Sequence, residues 1–129
     1  MANEIDYGQA EIQAFNNVAA AGGVRYDEGA VRKAVQLYQD AIDKLDAIQS
    51  KLGTVENAGG FGGFQTGREL QQGFSRKASD GIFVVQQLID GAMQLQEAYL
   101  RAGNLISEAD SLNQKRIAMT SATPAPGGK

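Results

Sequence analysis

The sequence predicts an all-α fold: an antiparallel hairpin of two long helices, preceded by a short N-terminal helix, that associates into a helical bundle. Three observations carry this. Two long stretches hold apolar residues at helical spacing, one glycine-rich stretch separates them, and no proline occurs before Pro124. A chain of 129 residues suits one domain with a modest core. Hydrophobic residues make up 43% of it, yet aromatics only 7%, and much of the apolar content is Ala, so the core is thin and helix-rich.

The first element is weakly patterned. Ile5, Ile12, Phe15 and Ala19 give a short helix over residues 3–20 that ends at Gly22-Gly23, so residues 1–23 form an N-terminal extension. Asp27 then offers an N-cap, with Glu28 in the first turn where the helix dipole favours acid. Val31, Val35, Tyr38, Ile42, Leu45, Ile48 and Leu52 follow as one apolar stripe, and Gly53 is placed to end that helix.

Residues 52–67 read LGTVENAGGFGGFQTG, the tip of the hairpin, with the turn over 53–67. Glycine permits the reversal, and Phe61 or Phe64 can fold back over the helix ends, so Phe61, Gly62, Gly63 and Phe64 form the turn motif. A phosphate-cradling loop would need a preceding strand and a Lys-Ser or Lys-Thr pair, and neither is present.

Thr66 and Glu69 stand in the relation of a capping box, and the second pattern begins there. Leu70, Phe74, Ala78, Gly81, Val85, Leu88, Ala92, Leu95, Tyr99, Ala102, Ile106 and Ala109 form a seam of alternating three- and four-residue steps, as in a coiled coil. One helix over 68–117 would be about 75 Å long, against about 39 Å for residues 27–52. The N-terminal helix would accompany the far end of the longer one. Residues 24–117 are thus the hairpin domain, and 118–129, rich in Ser, Thr, Pro and Gly, read as a disordered tail.

A second apolar set, Ile82, Phe83, Val84, Ile89 and Met93, widens the seam beyond what one partner helix covers. An intramolecular three-helix arrangement could cover it. The expectation preferred here is burial against another chain, because contiguous exposed apolar area marks interfaces. The interface or seam residues are Phe74, Ile82, Val85, Leu88, Ile89, Leu95 and Tyr99, with Val85, Leu88, Leu95 and Tyr99 forming a seam within the chain or between chains.

Composition also bounds the chemistry. Cys and His are both absent, which removes thiolate and imidazole metal ligands and the commonest general base. Asp40, Asp43 and Asp46, and Asp80, Asp90, Glu97 and Glu108, read as solvated helix faces. No catalytic, metal or cofactor site is expected, and no enzyme. The net charge is −3 and no basic block occurs, so nucleic acid is not an expected partner. No stretch approaches the length of a membrane span, and the start, MANEIDYGQAEIQAF, does not read as a signal peptide.

The long-helix hairpin, the turn of small and aromatic residues and the absence of a signal peptide resemble the WXG-motif proteins and their relatives among substrates of type VII (ESX) secretion. The resemblance covers roughly residues 24–117. Phe61-Gly62-Gly63 stands where that family has Trp-x-Gly, keeping a ring and losing the indole N–H. The family's export signal, Tyr-x-x-x-Asp/Glu after the second helix, has its counterpart in NLISEADSL, with Ile106 in place of Tyr and Asp110 as the acid. The resemblance implies a protein exported folded, without a cleavable signal peptide, or held in the cytoplasm before export. It also implies a homodimer or a heterodimer with a WXG-like partner, and recognition by a secretion ATPase. A cytoplasmic adaptor or secretion chaperone, or a polymerising hairpin subunit, are the alternatives.

Overall fold

A computed structural model of the chain describes residues 4–57, 59–60 and 62–122. It is an all-α helical bundle of four helices among the described residues: α1 (Gln9–Ala20), α2 (Glu28–Glu56), α3 (Gln65–Ala102) and α4 (Ile106–Ala122). At 1.5 Å per residue, α3 is about 57 Å long and α2 about 43 Å. The closest helix packing centres on α3, which meets α2, α1 and α4 in turn.

The partners reach different sides and different lengths of α3. α2 runs antiparallel along most of it, from Val31 against Leu100 to Leu52 beside Gly81. α1 runs parallel to the C-terminal half: Tyr7 lies against Gly91, and Phe15 against Tyr99 at 5.1 Å between ring centroids. α4 turns back along that same half, with Leu112 packed on the cluster of Val85, Ile89 and Met93. The C-terminal half of α3 therefore sits inside a four-helix body. Beyond it, α2 and the N-terminal half of α3 continue alone as a two-helix arm.

Local sequence accounts for the ends. The Asp27 carboxylate accepts from the Ala30 amide at 3.2 Å and caps α2. The connection from α1 to α2 is tied to the body by the Tyr26 amide, which donates to the Ala102 carbonyl at 2.9 Å. Gly53 does not end α2. It sits inside the helix, which runs to Glu56 and closes on Asn57, whose amide and side chain both donate to the Gly53 carbonyl. The turn is thus shorter than the expected 53–67. α3 begins at Gln65 with Phe64 as its N-cap and no side-chain cap, so Thr66 and Glu69 do not form a capping box.

The larger correction concerns the single helix expected over 68–117, which breaks at residues 103–105. The Leu105 amide donates back to the Leu100 carbonyl at 2.8 Å and the Asn104 amide to the Arg101 carbonyl at 3.0 Å, while Asn104 is left-handed at φ 62°. That is a Schellman ending, completed by apolar packing of Leu105 against the cluster holding Leu100. Asn takes the left-handed position here because the preceding Gly103 has another task. A Cβ on Gly103 would lie 2.9 Å from a Val31 methyl carbon, so glycine lets α2 approach the end of α3. The same turn extends helix into the expected tail: residues 118–122 belong to α4, and 123–129 lie outside the described residues.

Gly91 marks a second close approach. A Cβ there would fall 2.4 Å from the Tyr7 ring, so the chain before α1 lies directly on the α3 backbone. Gly91→Ala is expected to displace Tyr7 and to lower stability by roughly 1–3 kcal/mol, the scale of overpacking, measured by urea unfolding. An unchanged midpoint would show that this segment does not hold α1 to the body.

Candidate functional site

The seam residues divide between body and arm. Val85 and Ile89 are buried, and Ile82, Leu88, Leu95 and Tyr99 are partly buried. Phe74, on the arm, is 48% exposed. The expectation that Ile89 and its neighbours await another chain is corrected by α2 and α4 of the same chain. Ile42, Leu45 and Leu52 reach Val85, Ile89 and Met93 from one side and Leu112 from the other. Each of the three α3 side chains so buried is worth about 1.5–3 kcal/mol. Tyr99 belongs to an aromatic group with Phe15, Tyr26 and Tyr38, its ring centroid 5.9 Å from each tyrosine. Burial raises its hydroxyl pKa, with the neighbouring Tyr38 and Tyr26 adding to the rise.

Large apolar side chains stay exposed on the body, as at Leu37, Ile117 and Met119, and also on the arm. Ile48 and Val55 on α2 are 46% and 41% exposed, and Leu70 on α3 is 52% exposed. Gln39, Asp43 and Asp46 of α2 line a groove with α4, and at 100° per residue Ile48 and Val55 fall on the opposite flank of α2. On α3, Leu70 and Leu88 share a flank away from the α4-facing Asp90 and Met93. That flank of the arm carries exposed apolar side chains on both helices, interleaved with Lys44, Lys51 and Lys77. In the turn, Phe64 is 85% exposed and does not plug the helix ends, and Gly62 is left-handed at φ 90°. Gly63 is exposed, its carbonyl accepting from Arg68. Phe61 lies outside the described residues.

Ile106 is the first residue of α4 and 40% exposed, directly after the α3 ending. Asp110, one turn on, is exposed and accepts from Arg101 at 3.1 Å. Arg101 is also held by the nearly buried Glu97 at 3.1 Å. Two further ion pairs fasten α4: Arg32 of α2 grips Glu108 with two hydrogen bonds of 2.7 and 2.8 Å, and Arg116 meets Asp90 of α3 at 3.0 Å. Between α2, α3 and α4 lies a groove of about 630 Å³ with Ile42, Ile89, Met93, Leu112 and Met119 among its lining. Its rim carries Asp43, Asp46, Lys115 and Arg116. Among the described residues no group of three or more carboxylates is arranged to hold a metal.

Sequence reasoning missed these pairings because their partners lie far apart in the chain. Arg32 and Glu108 lie on helices that meet only once the turn at 103–105 has formed. The Gly103-Asn104 dipeptide was the available signal for that turn.

The Arg32 hydrogen bond, followed by its charge, holds the Glu108 carboxyl below its usual pKa, against an opposing effect of desolvation. A depressed carboxylate contributes stability above its unfolded pKa and loses it as pH falls through the folded value. Comparison of urea midpoints for the wild type and Glu108→Gln should give a small difference near neutral pH, both side chains being about half exposed. The difference should vanish below the glutamate range. A difference that persisted in acid would mean that the pair does not carry it.

Comparison with known proteins finds no matching family model, no matching curated protein and no matching solved structure.

Proposed function

We propose that this chain is a type VII (ESX) secretion-associated helical protein, exported folded, that acts by helix–helix association with itself or a similar helical hairpin and not by catalysis. The observation that carries the association is the two-helix arm, whose apolar flank bears Ile48, Val55 and Leu70 in half-exposed positions, with Phe64 exposed at its tip. A pair of antiparallel helices exposing such a flank is half of a four-helix bundle, which a second hairpin completes. Three half-exposed apolar side chains and an exposed Phe64 on one short arm are consistent with an interface.

Two features support the secretion reading. The hairpin with its small-residue turn is the form that the WXG-like resemblance rests on. The Ile106 and Asp110 pair lies immediately after α3, on the surface, where a secretion ATPase could reach it. A cytoplasmic adaptor would use the same arm and remain inside the cell, and a polymerising subunit would form open series through it.

The test is export from a host whose type VII ATPase can be switched off. The chain is expected in the culture medium only while the ATPase is active, and Asp110→Ala is expected to reduce that amount. Retention in the cell under both conditions would contradict the secretion reading. Separately, the combined change Ile48→Ser, Val55→Ser and Leu70→Ser should weaken association, with itself or with a captured hairpin, by at least about tenfold. Helicity should be unchanged, as measured by circular dichroism and light scattering. Unaltered association would remove the arm as the interface.

A further inference from the structure

The turn between α3 and α4 is three residues long, and the apolar seam of α3 passes through it without losing register: Tyr99, Ala102, Ile106 and Ala109 keep the three- and four-residue steps of the segment before. The chain is thus compatible with two local states for residues 65–122, a broken helix that folds back and a straight one. The broken state is selected by Asn104, the one non-glycine residue with positive φ among those described, and by the docking of α4. That docking is specific. Ala109 is fully buried beside Val31 and Leu100, and Glu108, Asp110 and Arg116 each meet an opposite charge on α2 or α3.

We infer that α4 is exchangeable between copies: when the turn at 103–105 straightens, the α4 of a second copy of this chain occupies the vacated face of α3, and the two chains form a reciprocal, two-fold dimer. The occupant follows from the complementarity of that face. The face holding Ile89, Met93, Asp90, Arg101 and Arg32 is already fitted to the side chains of α4, and an identical helix from another chain satisfies the same partners. Each contact of α4 is remade, and only the turn differs between the two states. Straightening would leave Ile89 and Met93 uncovered in an isolated chain, so an open monomer is disfavoured and exchange proceeds to a closed pair. The inference is independent of the secretion reading and does not use the arm.

The turn residue and the charge pair test it separately. Asn104→Ala disfavours the left-handed position and Asn104→Gly preserves it, so the dimerisation constant of Asn104→Ala, from light scattering across a concentration series, should exceed that of Asn104→Gly by about tenfold or more. The second test uses Asp90→Arg and Arg116→Asp, unfolded in urea, mixed and refolded together, with the products weighed by native mass spectrometry. In a self-closed chain each variant sets like charges against each other. In an exchanged heterodimer, position 90 of each chain meets an opposite charge at position 116 of the other, so heterodimer should predominate over both homodimers. Equal dimerisation of the two Asn104 variants, with monomers only in the mixture, would overturn the inference. Dimerisation of Asn104→Ala without heterodimer enrichment in the charge-swapped mixture would also overturn it, since the chains would then be joining through another face.

Discussion

Covering α3 is the constraint from which the rest of the structure follows. Its C-terminal half is apolar over more of its circumference than one neighbouring helix can bury, with Val85, Ile89 and Met93 toward α2 and α4 and Leu95 and Tyr99 toward α1. A two-helix hairpin would leave much of that surface in water. The chain meets the requirement from its two ends: α1 lies parallel on one flank and α4 folds back on the other. The N-terminal half of α3 receives no such cover, and a bare two-helix arm results. Body and arm are thus consequences of where the chain has enough sequence to surround its longest helix.

The way each cover is attached follows from the chemistry available to it. α1 is short and docks by close approach, with the Tyr7 ring on Gly91 and Phe15 in the aromatic group around Tyr99. α4 buries little, chiefly Ala109 and part of Leu112, with Leu105 packed just before it, and relies more on charge. Its ion pairs are partly or largely exposed, and pairs of that kind contribute modestly to stability. Their larger effect is on register: Glu108, Asp110 and Arg116 meet partners on α2 and α3 at one alignment only. Gln96 acts in the same way inside the body, 2% exposed and donating to the Val35 carbonyl and the Gln39 side chain. Leaving those groups unpaired would carry a desolvation penalty, so α2 and α3 are fixed in register.

Much of this was legible in the sequence. The α2 stripe from Val31 to Leu52, the Asp27 cap and the all-α class follow from spacing that depends only on neighbours within one helix. The break at Gly103-Asn104 was harder to read because the seam carries through it: Ala102, Ile106 and Ala109 suit a straight helix and a broken one equally. Three-dimensional facts decide between them, namely the Val31 methyl against Gly103 and the Arg32 grip on Glu108. Ile89 looked unpartnered for the same reason, since its cover comes from a helix that spacing alone would have carried away from it. Phe64 differs. Ring residues in a glycine turn suggest a plug, but a turn this short leaves the side chain outside.

The fold depends most directly on α4 lying back along α3. The chain has no Cys, so a pair of introduced cysteines can carry spin labels without background. Gln86 and Lys115 line the same groove, and the distance between labels on Gln86→Cys and Lys115→Cys, in the monomer isolated at low concentration, is the measurement to make. Helices packed side by side have axes on the order of 10 Å apart, so a short distance is predicted. A distance of about 43 Å, that of one uninterrupted helix at 1.5 Å per residue, would contradict the account.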